Sequence, residues 1–127
     1  MQLKALVATF TLSLSSLAAH AQQTPDPLFG DDPYAKAVLD CHADYATRYA
    51  TAMTGTKATP TEIATAAYAH CIREMGRFST ETAKSAKKSD STGLLDVDRY
   101  VADQNAKIRD YAFAYTLDTY LKKTTNF

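Results

Sequence analysis

The sequence predicts an all-α fold: a small three-helix bundle, built as a disulfide-stapled antiparallel helical hairpin plus a third long helix, after a cleaved signal peptide. Three observations predict it. Three stretches repeat apolar residues at steps of three and four, the mark of one helix face. Each of those stretches opens on a residue suited to capping a helix N-terminus. The only two cysteines, Cys41 and Cys71, fall at matching heights on the first two stretches.

The first helix is expected to begin at Asp32-Pro33. Asp caps well, and Pro is tolerated at the first helical position because its missing N–H would have no intrahelical partner. Tyr34, Val38, Cys41, Tyr45, Tyr49 and Ala52 then form one row, which ends at Met53-Thr54-Gly55, with Gly the usual terminator;. Lys36, Asp40, Asp44 and Arg48 stand at steps of four and read as a solvated, charge-compensated face.

The second helix has the stronger start. Thr59-Pro60-Thr61-Glu62 offers a capping box, with Thr59 as N-cap and Glu62 three residues on. Ile63, Ala67, Cys71, Met75 and Phe78 follow as one stripe, and Ala64, Ala66 and Ala69 are strong helix formers that let another helix approach. Past Phe78 no large apolar residue occurs until Leu94, so the helix is expected to run to about Lys88 with its last turns in solvent. Gly76 is a candidate kink or point of close packing.

Cys41 lies twelve residues before Met53 and Cys71 eleven after Pro60. At about 1.5 Å rise per residue, each sulfur sits roughly 17 Å from the turn. Two antiparallel helices joined by a short loop bring them level, so the pair reads as a disulfide.

Residues 89–95 read as a polar turn around Gly93. The third helix is expected from Asp96 to about Lys122, with Asp96 as N-cap and Leu95 and Tyr100 placed as a hydrophobic staple. Val97, Val101, Ile108, Ala112 and Tyr115 form its row, widened by Tyr100, Tyr111, Leu117 and Leu121. Acidic residues cluster at the proposed N-termini and lysines at the C-termini, as the helix macrodipole favours.

Residues 1–21 have the pattern of a secretory signal peptide: Lys4, an apolar run to Leu17, and Ala19-His20-Ala21 as a small-x-small cleavage site. Residues 22–31, with Pro25, Pro27 and Gly30, read as an extended arm in which Leu28 and Phe29 can tuck against the body, with room for a short fourth element. Residues 32–127 make a single helical domain. Export to an oxidising compartment accounts for the disulfide, and the short signal points to a bacterial periplasmic or secreted protein.

Removing Lys4 leaves 13 basic against 14 acidic residues, a net charge of −1. No basic stripe is present to neutralise phosphates, which argues against nucleic acid and against an anionic membrane surface. The apolar run is too short for stable membrane insertion.

Chemistry is sparse. Cys41-His42 and His70-Cys71 together suggest zinc, but neighbours on a helix diverge by about 100°. Antiparallel pairing also sends the two histidines to opposite rims of the disulfide, and a disulfide offers no thiolate. No metal and no cofactor are expected; Met75 reads as core. Asp40 with Asp44, and Asp98 with Asp103, sit among basic residues and make no acid–base site, so no catalytic residue is assigned. Eight tyrosines and no tryptophan occur. Most fill the core with hydroxyls at its edge. Tyr68 and Tyr120 lie off the main rows and are the candidate partner-binding residues. The T-P-x-E-I-A-x-A-A segment before Cys71 is a generic way to start a helix and licenses no transfer of function.

The expectation is therefore a non-catalytic exported protein that binds another envelope or secreted protein, as an inhibitor, an immunity-type neutraliser or an assembly accessory. A small hydrolase using acidic residues and a carrier of a small apolar ligand between the helices are the alternatives.

Overall fold

The computed structural model describes residues 28–52 and 58–125. The expected signal peptide, most of the arm and all but Ala58 of the hairpin turn expected at Thr54 to Ala58 lie outside the described residues. The chain there forms α1 (Pro33–Thr51), α2 (Pro60–His70), α3 (Ile72–Ser89) and α4 (Val97–Thr124), with no strand among the described residues.

The local start signals act as read. The Asp32 carboxylate accepts from the backbone N–H of Tyr34 (2.8 Å) and Ala35 (3.3 Å). Thr59 and Glu62 close a full capping box: the Glu62 N–H donates to Thr59 Oγ1 (3.2 Å) and the Thr59 N–H to Glu62 Oε2 (2.7 Å). These bonds hold the Glu62 carboxyl below its ordinary range. Asp96 accepts from the Arg99 N–H at 3.1 Å.

The predicted second helix is one rod broken into two. The break falls at Cys71, whose φ and ψ are −95° and 19°. Backbone bonding continues through it, with Cys71 N–H to Ala67 O at 2.9 Å and Met75 N–H to Cys71 O at 3.1 Å. The bend therefore sits on the cross-linked residue. It does not sit at Gly76, which lies exposed in unbroken helix with no atom near the place a Cβ would take. The fourth helix among the described residues comes from this break; most of the arm, where a short fourth element is expected, lies outside them.

Cys41 and Cys71 are joined, with Cα atoms 6.0 Å apart. α4 then lies along both rods of the hairpin, making its most extensive contact with α1.

The buried stripe of α2 and α3 is the expected one: Ile63, Ala67, Cys71, Met75 and Phe78, joined by Ala64 and Ala86. Burial of Ala86 shows the last turns of α3 packed and not projecting.

On α1 the buried row differs. It is Ala35, Val38, His42 and Ala46, while Tyr34 and Tyr49 are each 39 % exposed. Helix α1 faces α4 as well as its hairpin partner, and close approach of two helices selects small residues over large ones. The tyrosines are left on the margins, where Tyr45 stacks on Tyr49 with centroids 4.5 Å apart. Burial and that neighbour push the Tyr45 phenol up to about 12.

The core has two apolar clusters. One joins Ala35, Val38, Met75, Phe78, Ile108 and Ala112; the other joins Ala46, Ile63 and Tyr120. Along α1 and α4, His42 and Thr116 stand between them, 1 % and 0 % exposed. His42 Nδ1 lies 2.8 Å from Thr116 Oγ1, whose own proton goes to the Ala112 carbonyl at 2.6 Å. The hydroxyl can only accept from the ring, so Nδ1 carries the proton and Nε2 is a bare acceptor.

Between α3 and α4, Asp90 ties the loop. Its carboxylate accepts from the N–H of Leu95 (3.0 Å), from Thr92 through both N–H and Oγ1, and from the Gly93 N–H (3.0 Å). Those bonds, Leu95 first, hold the carboxyl below its ordinary value. Gly93 supplies the left-handed conformation the turn needs, with φ of 67°.

Candidate functional site

The end of the bundle where the arm enters carries a groove of about 910 Å³ between the arm, α3 and the start of α4. Phe78 forms its floor. The arm supplies Leu28 and Phe29, with Phe29 set edge-on to Phe78 at 6.0 Å and against Tyr111 at 6.1 Å. The Gly30 turn (φ 57°), closed by the Asp32 N–H to Phe29 carbonyl bond at 3.3 Å, aims the arm inward. Tyr34 comes from the first turn of α1, and Leu95 and Tyr100 from the loop and first turn of α4. The two staple residues are not hidden against each other: Leu95 remains 43 % and Tyr100 40 % exposed. Of nine exposed large apolar side chains among the described residues, four (Leu28, Tyr34, Leu95 and Tyr100) line this one groove. Its rim is charged, with the Glu81–Lys84 pair at 2.7 Å and Lys88 beside it.

The two tyrosines singled out in the sequence part company. Tyr68 on α2 is 37 % exposed and borders a second, smaller pocket between α1, α2 and α4. Tyr120 is corrected: it is 4 % exposed and packs with Ala46 and Ile63 in the core. It follows Thr116 by one turn, on the face of α4 that meets the hairpin. The two do not form one surface.

The Cys/His quartet is dispersed. Both sulfurs are bonded to each other, His42 points into the bundle toward Thr116, and His70 lies outside against the Tyr45 ring at 5.1 Å. No group of three or more His, Cys, Asp or Glu able to hold a metal occurs among the described residues. Asp40 and Asp44 border a shallow groove of about 440 Å³ beside the disulfide, together with Arg48, Glu74 and Arg77. Asp40 is paired with Lys36. Met75 is core, as read.

Two features escaped the sequence reading. The groove's parts were visible singly, as a tucking arm and a staple, but nothing local says that they share a wall. The burial of His42 is the other: the spacing sets it on a rim of the disulfide, whereas it packs inward on Thr116, 74 residues away.

Fold and surface together define a small, disulfide-stapled all-α bundle with a groove of mixed polar and apolar lining at one end. No helix among the described residues is long and apolar enough to cross a membrane. Comparison with protein-family models, with curated proteins and with solved structures gives no match.

Proposed function

We propose that this is a non-catalytic exported protein of the bacterial periplasm or secretome, acting by binding another envelope or secreted protein through the groove at the arm end of the bundle. One observation carries the reading: the gathering of Leu28, Tyr34, Leu95 and Tyr100, each more than one-third exposed, around a single concavity with a charged rim. Contiguous exposed apolar surface rimmed by polar groups marks interaction sites, and Tyr is enriched in them. The disulfide supports residence outside a reducing cytosol. The matching occupant is a segment of the partner that sets apolar side chains among Leu28, Tyr34, Leu95 and Tyr100, with its flanks over Lys84 and Lys88. An inhibitor, a neutraliser of a toxic enzyme and an assembly accessory all use such a surface.

The experiment places a photo-crosslinking amino acid at position 95 or 100, and separately at Asp118 as a control on exposed α4 surface outside the groove, in cells that export the protein. Adducts of one defined mass from positions 95 and 100, with none from 118, are expected. No adduct, or the same adducts from all three positions, refutes the reading.

The carboxylate hydrolase gains no support from the geometry. The carboxyls with displaced pKa, Glu62 and Asp90, are both held low by hydrogen bonds at a helix start and in a turn, whereas a general acid needs its pKa raised.

A further inference from the structure

The groove beside the disulfide is separate from the one at the arm end. It runs between α1 and the α2–α3 rod, holds about 440 Å³ and shares only Tyr34 with the larger groove. Both of its walls are charged: Asp44 and Arg48 come from α1, Glu74 and Arg77 from α3. The row Lys36, Asp40, Asp44, Arg48 compensates itself only in its first half. Lys36 pairs with Asp40. Among the described residues Asp44 makes no pair with Arg48, nor Glu74 with Arg77, and the other ion pairs lie elsewhere on the surface. Two carboxylates and two guanidinium groups therefore face one concavity with their hydrogen-bonding capacity unused.

We infer that this groove binds a neutral saccharide, a short chain of sugar rings laid along α1, with its hydroxyls held by Asp44, Arg48, Glu74 and Arg77.

The chemistry of the walls selects that class. A guanidinium only donates and an ionised carboxylate only accepts. Groups of both kinds along one groove suit a ligand that can donate and accept at every position, as a run of sugar hydroxyls does. All four groups are planar and forked, so each can hold two neighbouring hydroxyls at once. The charges cancel, two against two, once Asp40 is taken with Lys36. An anion or a cation would meet as many like charges as unlike ones, which leaves a neutral ligand favoured. Apart from Ala37, the apolar lining is Cys41 and the rings of Tyr34 and Tyr45. Tyr34 is 39 % exposed, and the negative face of an aromatic ring attracts the C–H face of a sugar. No wall of branched aliphatic side chains is present to seat a lipid chain. Tyr34 and Arg48 stand fourteen residues apart on α1, about 21 Å along the helix and longer than one sugar ring. Cys41 lies midway between them, and its bond to Cys71 fixes the two walls to each other. Donors and acceptors are thus set before the ligand arrives, which lowers the ordering cost of binding.

The test uses the disulfide-bonded chain and three neutral disaccharides as probes: maltose, cellobiose and di-N-acetylchitobiose. Backbone ¹H–¹⁵N spectra follow each titration. At least one probe is expected to move the amides of residues 37–48 and 70–77 saturably, with a dissociation constant of about a millimolar. Glucosamine and glucuronate, the cationic and anionic probes, are expected to leave those amides in place at the same concentration. Asp44→Ala and Arg77→Ala, at exposed helix positions where the fold does not depend on the side chain, are each expected to weaken binding about tenfold. Lys123→Ala, on exposed α4 surface, is expected to change nothing. No saturable shift from any of the three disaccharides up to about 20 mM, shifts confined to the arm-end groove, tighter binding of a charged probe, or undiminished binding in both Asp44→Ala and Arg77→Ala would each overturn the inference. None of these results bears on crosslinking from positions 95 and 100, so the two sites stand or fall separately.

Discussion

Breaking the Cys41–Cys71 bond tests the architecture most directly. The bridge closes a loop across a sequence separation of 30 residues that holds the end of α1, the turn and all of α2. For a loop of that length the chain-entropy model gives about 12 cal/mol/K, or about 3.7 kcal/mol at 25 °C. Reduction alone isolates this term, because both sulfurs stay in place. A Cys41→Ala/Cys71→Ala chain adds the loss of a fully buried sulfur at Cys71, which costs about 1 kcal/mol more. Urea unfolding followed by far-ultraviolet circular dichroism measures all three forms. The order expected is oxidised, then reduced, then double variant, with Tm falling by about 15–30 °C on reduction. The denaturant slope should rise once the cross-link is gone, because the unfolded chain then exposes more surface. An oxidised-to-reduced difference under about 1 kcal/mol would refute the reasoning, since it would mean that the loop costs little to close even without the bond.

Three further outcomes are expected. Thr59→Ala removes half of the capping box and should cost about 1 kcal/mol in urea unfolding; no change would show that α2 is held by packing alone. Phe78→Ala empties the floor of the groove and the centre of the larger apolar cluster, and should cost about 3–5 kcal/mol; a loss below about 1 kcal/mol would place Phe78 outside the core. The third outcome concerns pH. His42 is held neutral by burial, below its ordinary value of 6.5, so below pH 6.5 the unfolded chain binds a proton that the folded chain refuses. Stability should therefore be flat in this respect above 6.5 and fall by up to about 1.4 kcal/mol per pH unit below it, until the folded value is reached. Unfolding free energies across pH 7.5 to 5, compared with His42→Gln, check this; the same slope in both proteins would assign the effect to other groups.

Much of the fold was legible because its signals are local. Asp32-Pro33, the Thr59 box and Asp96 act within four residues of themselves, and each starts a helix where the sequence places it. The height of the disulfide was legible because both distances are counted from the same turn. What was not legible depends on the third element. Apolar ranking puts Tyr34, Tyr45 and Tyr49 on the inner face of α1, yet the packed face is Ala35, Val38, His42 and Ala46, because a helix pressed from two sides meets its neighbours through small residues. On α4 the apolar row runs through Tyr115, yet the contact is carried by Ile108, Ala112, Thr116 and Tyr120, because the polar Thr116 that continues the buried row hides its direction in the sequence. The bend at Cys71 has no Gly or Pro to announce it.

The His42–Thr116 layer has a consequence for assembly. Two apolar clusters of mixed size could tolerate α4 sliding along α1, since Ala, Val and Ile discriminate poorly among one another. A slip of one turn, about 5.4 Å, would bring the ring N–H against hydrocarbon and leave a buried donor unmet, at about 1–3 kcal/mol. The pair thus works as an alignment key that rejects misassembled bundles. Replacing both by His42→Leu and Thr116→Val should give a chain that keeps its helix content but samples more than one longitudinal setting, seen as doubled or broadened NMR signals from α4; a single sharp set would show that the apolar clusters align the helices unaided.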